Sequence, residues 1–188
     1  MSIRLLDPDV SSIIAAGEVI ERPASVVKEL IENALDAGST EIVVEVQGDG
    51  THSIRVVDNG HGIESDEVEL AFERYATSKL KAARDLDSIG TLGFRGEALP
   101  SIAAVSRLSM ATKTGNADLG VRVELLDGKV KSVNTAGTPT GTVVVVRQLF
   151  GNFPARRRFM RTRATEISRI HTIVSRYALA YSTTRFRL

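Results

Sequence analysis

At 188 residues, 43% of them apolar, the chain has material for one globular core. The absence of cysteine excludes disulfides, a cysteine-based zinc site and thiol catalysis, and no apolar run is long enough to span a membrane or form a signal-peptide core. The net charge of +1 hides a division: residues 145–188 hold ten arginines and one acid, Glu166, while the part before them is acidic on balance. A soluble, cytoplasmic protein is expected, whose basic end either meets a polyanion or pairs with the acidic body.

Asp7-Pro8 offers an N-cap followed by proline, which predicts a helix through Ile20 with Ile13, Gly17 and Ile20 on one face. Arg22-Pro23 opens a longer helix that Gly38 ends. At about 100° per residue, Val27, Leu30, Ile31, Ala34 and Leu35 fall on one side, and Glu29, Asn33 and Asp36 lie in a narrow arc opposite. A polar stripe is usually a solvated face. This one differs, because Asn and Asp are poor helix-interior residues and no Lys or Arg stands at the i+4 spacing. A carboxylate and a carboxamide one turn apart suit a general base beside a ligand for magnesium, which prefers a few oxygens and keeps several waters.

Glu41–Gln47 reads as a strand, turned back by Gly48-Asp49-Gly50 into a second, Ser53–Asp58. Asn59, Gly60, His61 and Gly62 follow, and the two glycines allow either a tight turn or close approach of a flat ligand. Ser65-Asp66-Glu67 predicts another helix, carrying Val68, Phe72 and Tyr75. Between Thr77 and Gly96 the polar and glycine content rises, as in a mobile lid. Within it Gly90, Gly93 and Gly96 precede a helical stretch, so consecutive N–H groups and a helix N-terminus would favour an anion, with Arg95 and Lys79 adding charge. No Walker sequence is present, since Gly128-Lys129 is followed by Val130, and no Gly-x-Gly-x-x-Gly fingerprint either. Leu99–Val105 reads as a helix, and strand patterns return at Arg107–Thr112, Gly120–Leu126, Lys129–Asn134 and Thr142–Leu149. The β-branched run Val143–Val146 marks a central strand. Ile167, Ile170, Val174, Tyr177 and Ala178 mark a last amphipathic helix, and Thr184–Leu188 alternates like a strand beginning. His52, His61 and His171 are single and unclustered, and are read as solvent-facing or internally satisfied.

The order Glu29-x-x-x-Asn33, Asp58-x-Gly60-x-Gly62, Gly93-x-Arg95-Gly96-Glu97-Ala98 and Gly141-Thr142 resembles the four motifs of the ATPase superfamily of gyrase, heat-shock chaperones, histidine kinases and MutL. Within it the chain is most similar to the MutL family, through Ala15–Ala24, Ala76-Thr77-Ser78-Lys79, Gly93–Leu99 and Asn152-x-Pro154-Ala155-Arg156-Arg157-Arg158-Phe159. The resemblance implies an α/β two-layer sandwich of helices on a mixed, largely antiparallel sheet, the Bergerat-type ATP-binding fold, filling residues 1–188 as one N-terminal ATP-binding domain. It implies continuation into a second domain that contributes a lysine to the γ-phosphate.

The resemblance further implies an ATPase using ATP and Mg2+. Glu29 would be the general base and Asn33 the magnesium ligand, with Asp36 assisting through a metal-bound water. Asp58 would accept a hydrogen bond from the adenine amine, Gly60 and Gly62 would let the strand end approach the base, and Thr142 would support Asp58. Ser78, Lys79, Gly93, Phe94, Arg95 and Gly96 would contact the phosphates from the lid. The implied partners are weakly and non-specifically bound DNA, a mismatch-recognition protein of the MutS type, and a second copy in an ATP-dependent homodimer ordered through residues 1–22, with no membrane. A type II topoisomerase subunit or chaperone of the same superfamily is the alternative.

Overall fold

In the computed structural model, which describes residues 4–79 and 90–188, seven strands form one sheet. They are β1 (Glu41–Gln47), β2 (Ser53–Asp58), β3 (Arg107–Lys113), β4 (Gly120–Leu126), β5 (Lys129–Ala136), β6 (Gly141–Arg147) and β7 (Arg185–Arg187). Their spatial order is β5-β4-β3-β6-β2-β1-β7, and only the β1–β7 pair is parallel. The valine run falls in β6, fourth of the seven, where both flanks are paired and branched side chains pack best. Both strands of the first hairpin have the expected bounds.

The helices are α1 (Pro8–Val19), α2 (Pro23–Asp36), α3 (Ala98–Ala104), α4 (Pro154–Arg158) and α5 (Arg163–Ala180). Alternate strand residues (Ile42 and Val44, Ile54 and Val56, Leu108 and Met110, Val144 and Val146) are buried on one sheet face, in one cluster with Val27, Leu30, Ile31, Ile102, Ile170 and Val174 from the helices. Fully burying one such side chain contributes about 1.5–3 kcal/mol, and this face supplies the core. The result is the expected two-layer α/β sandwich. Among the described residues no helix is long and apolar enough to cross a membrane.

Three details position the site. Gly50, at φ +91°, lies so close to the start of α2 that a β-carbon there would sit 2.6 Å from Pro23. Asp49 locks that hairpin, accepting from the Thr51 N–H at 2.9 Å and its hydroxyl at 2.6 Å. The C-terminus of α2 therefore ends beside the end of β2, where the His61 N–H donates to the Ala37 carbonyl at 3.0 Å.

The helix expected from Ser65 is not formed. Only a 3-10 turn, Leu70–Phe72, interrupts a run of turns. Val68 and Phe72 are buried, but Tyr75 is exposed with φ +65° and donates its N–H to the Gly96 carbonyl at 3.0 Å. That tertiary bond outweighs local helix propensity. Conversely, the short α4 lies where no helix was expected, its start set by Pro154 at the first helical turn. Residues 80–89 of the expected lid and residues 1–3 of the N-terminal segment lie outside the described residues.

Candidate functional site

The polar stripe of α2 does not face solvent alone. Asp36 accepts from the Leu92 N–H at 2.9 Å, from the Gly93 N–H at 3.1 Å and from Lys79 Nζ at 2.5 Å. The same ammonium lies 3.2 Å from Asn33 Oδ1. The glycine block thus turns its N–H groups toward an anion, which here is a carboxylate of α2. Gly93 packs closely against the cluster: a β-carbon there would lie 3.4 Å from Lys79 Nζ and 3.8 Å from both Asn33 Oδ1 and Asp36 Oδ2. Asp36 is the hub of the cluster, a position its place at the end of the stripe did not signal. The two oxygens that a cation already touches, one carboxylate and one carboxamide, form a donor set fit for magnesium.

Glu29 stands one turn before Asn33, and its carboxylate meets Lys28 Nζ at 3.1 Å. Lys28 also reaches Glu32 at 2.7 Å, at i+4. The cation missing from the expected spacing along the stripe therefore comes from the neighbouring position, and from Lys79 across the fold.

Asp58 closes β2 beside the central strand, opposite Thr142 in the β2–β6 ladder. Its Oδ1 accepts from the Gly60 N–H at 2.8 Å and the Ser39 hydroxyl at 3.2 Å. Burial pushes its carboxyl above the usual carboxylate range, outweighing hydrogen bonds from Gly60, Ser39 and the Thr142 backbone and the charge of His61. Thr142 faces Asp58 across the ladder with its backbone. Its hydroxyl instead lies 3.1 Å from that of Thr112, which accepts from the Ile63 N–H at 2.9 Å and donates to the Gly141 carbonyl at 3.1 Å. With its one proton directed to Gly141, Thr112 accepts from Thr142. Sequence reasoning missed Thr112; a hydroxyl in the buried register of Leu108 and Met110 was the available signal.

The two glycines after Asp58 serve protein packing. A β-carbon on Gly60 would come within 2.7 Å of Ala37 and Ser39, and one on Gly62, at φ +75°, within 2.2 Å of the Lys113 carbonyl. They bring the strand end against α2 and β3, which the expectation of approach to a base did not foresee. Gly96, at φ +63°, would meet the Ala76 carbonyl at 2.5 Å, so segments 75–79 and 91–96 are clasped together. Ser78 and Arg95 are exposed and Phe94 half-buried, with the Arg95 guanidinium 5.6 Å from the Phe94 ring centre. Neither Ser78 nor Arg95 joins the Asp36 cluster by a hydrogen bond among the described residues.

In the basic segment, Arg156 donates to the Gly17 carbonyl at 2.7 Å and Arg185 pairs with Glu41 at 3.5 Å. Arg147, Arg157, Arg158, Arg161, Arg163, Arg169, Arg176 and Arg187 are exposed and form no ion pair among the described residues. The one acid, Glu166, is fully buried, accepting from the Arg161 N–H at 3.1 Å and lying 3.5 Å from Arg22. Internal pairing thus explains a minority of the arginines. Asn152 acts structurally, donating to the Ala104 carbonyl at 2.8 Å and to Asp127 at 2.9 Å.

Comparison with known proteins places this geometry. The family described as histidine kinase-, DNA gyrase B-, and HSP90-like ATPase matches residues 20–136, which include the stripe, Asp58 and the glycine block. The DNA mismatch repair protein MutL of Solibacter usitatus is 55% identical over 186 residues, 99% of this chain and 28% of that protein. MutL of Shouchella clausii is 55% identical over 184 residues, covering 98% of this chain and again 28% of the relative. The chain therefore spans under a third of the curated relatives it matches. The Aquifex aeolicus MutL ATPase domain, solved with ADP, superposes with a TM-score of 0.75 at 34% identity, covering 89% of this chain and 59% of that one. The chain belongs to the histidine kinase-, DNA gyrase B- and HSP90-like ATPase family, and to the MutL-type ATPase domains within it.

Proposed function

We propose that this domain, taken as one unit over residues 1–188, binds ATP with magnesium and hydrolyses it with Glu29 as general base. The carrying observation is the gathering of Lys79 and the Leu92 and Gly93 N–H groups around one anion, the Asp36 carboxylate. A carboxylate shares with a phosphate its charge and its paired acceptor oxygens, so the donors that hold Asp36 suit the phosphates of ATP. Asn33 would hold magnesium, with Asp36 assisting, and the metal would supply charge that neutralises the phosphates. Asp58 accepts from the adenine amine, and Glu29 orients the attacking water. Phosphoryl transfer depends mainly on positioning and electrostatics, so one carboxylate can control its rate. Ser78, Phe94, Arg95 and Gly96 close over the phosphates as part of a lid.

The test follows amide exchange in residues 75–79 and 90–96. Magnesium with a non-hydrolysable ATP analogue is expected to slow it, because the loop carries few apolar contacts of its own. Protection that nucleotide leaves unchanged would reduce this segment to an ordinary loop held by Asp36.

In the whole protein we propose a nucleotide-gated dimerisation switch in DNA mismatch repair, in the cytoplasm, coupled to a recognition protein of the MutS type. Leu6, Val10 and Ile14 support the dimer: spaced by four, they are 58%, 45% and 44% exposed, an apolar stripe that a second copy would cover. The same Aquifex relative and the mismatch-repair relatives favour this over a topoisomerase or chaperone role. The unpaired arginines support weak, sequence-independent DNA binding. Each true phosphate contact contributes about 0.9 to the slope of log affinity against log salt. Replacing Arg161 and Arg163 with Ala is therefore expected to flatten the slope at constant melting temperature, measured on duplex DNA across a salt series. A lower melting temperature with an unchanged slope would assign both arginines to structure.

A further inference from the structure

Glu29 and Glu32 stand three positions apart on α2, and Lys28 bridges them, its ammonium 3.1 Å from one carboxylate and 2.7 Å from the other. Glu32 is only 7% exposed, so its charge requires partners on both oxygens. The second partner comes from α5: the Tyr177 hydroxyl donates to Glu32 at 2.5 Å across 145 residues of sequence. Tyr177 is itself fixed against Tyr181, with ring centres 6.2 Å apart. Burial lowers the tendency of Lys28 to stay charged, but the hydrogen bond to Glu32 and the charge of Glu29 outweigh it and raise its pKa. Among the described residues, Lys28 is the one hydrogen-bond partner of the Glu29 carboxylate.

We propose that Lys28 and Tyr177 are positioning residues for Glu29, the chain Tyr177–Glu32–Lys28 holding its carboxylate in the orientation that activates water. The inference rests on the reading of Glu29 as general base. A glutamate freed of its anchor spreads over several rotamers, and the fraction poised to accept a proton falls. An ordinary exposed ion pair would contribute little, but this one is tied through a buried carboxylate to a second helix, which fixes where the ammonium sits. Neither residue touches the Asp36 cluster or Asp58, so nucleotide affinity stands apart from the tether.

The experiment compares kcat, KM and ATP affinity in the full-length protein. Lys28→Met is expected to lower kcat about tenfold to hundredfold with affinity held within about twofold, the cost typical of a misplaced catalytic group. Lys28→Arg should restore most of the rate. Tyr177→Phe, which removes one oxygen, should lower kcat in the same direction by less. In a Glu29→Ala background Lys28→Met should add nothing, since both act through one carboxylate. An unchanged or raised kcat in Lys28→Met, a loss carried by affinity, or a full additional loss in the Glu29→Ala background would overturn the tether. If Lys28→Met fails to fold, Tyr177→Phe in the presence and absence of Glu29 decides by the same criteria. If Glu29→Ala itself hydrolyses ATP normally, the general-base reading falls; an inactive Glu29→Ala beside an active Lys28→Met removes the tether alone.

Discussion

Glu29→Ala is expected to bind ATP as the unaltered domain does and to lose hydrolysis by about 10²–10⁴-fold, the range for a positioned general base. That corresponds to about 3–5 kcal/mol of barrier, all of it on the step that consumes water. The fold offers little reason for collateral damage. Glu29 sits on the polar side of α2, and its one side-chain hydrogen bond among the described residues goes to Lys28, whose side chain is 43% exposed, so the lost pair contributes little to stability. Alanine is also a better helix former than glutamate at that position. Equilibrium binding of a fluorescent ATP analogue, set beside single-turnover hydrolysis, separates the two quantities. A parallel fall in both would deny Glu29 a role confined to the water.

Where local chemistry dictates structure, the sequence was legible. Period-two alternation bounded by glycines fixed β1 and β2, and the four-valine run located β6, because both signals arise within a few residues. The stripe of α2 was legible as a stripe. Its contacts were not, because Lys79, Leu92 and Gly93 reach it from 43 to 57 positions away. The same distance explains the region after Ser65. Its pattern of Val68, Phe72 and Tyr75 is helical in isolation, yet the bond from Tyr75 to Gly96 bends the chain out of register. Thr112 and Glu32 were overlooked for a related reason: a polar residue earns notice only when burial is known, and both are buried. The arginines were ambiguous in sequence between pairing and exposure, and only the placement of the acids resolves most of them as unpaired.

Asp58→Asn is expected to weaken ATP binding by about tenfold or more, the loss of a charge-assisted hydrogen bond, and to shift the preference between bases. The surrounding network decides how the amide would sit. The Gly60 N–H and the Ser39 hydroxyl both donate to Oδ1, so asparagine keeps its oxygen there and turns its NH2 to the other side. That NH2 would then confront the adenine amine, donor against donor, while guanine presents an acceptor at the same place. Discrimination between ATP and GTP should therefore fall further than affinity alone. Stability should move the other way. Because burial raises the Asp58 carboxyl, the folded state takes up its proton more readily than the unfolded chain does. The ionised form thus costs stability at neutral pH, a cost relieved as pH falls through the raised value, and asparagine removes it. The variant should melt at or above the temperature of the unaltered domain at pH 7. Affinity of the unaltered domain should begin to fall on acidification at a pH above the ordinary aspartate value of about 3.9, whereas the variant should be flat there. Calorimetric titration with ATP and GTP from pH 8 down toward pH 4, with thermal melts of both proteins at pH 7, reads every term. Equal affinities, or a variant that melts lower and binds both nucleotides equally poorly, would remove Asp58 from base recognition.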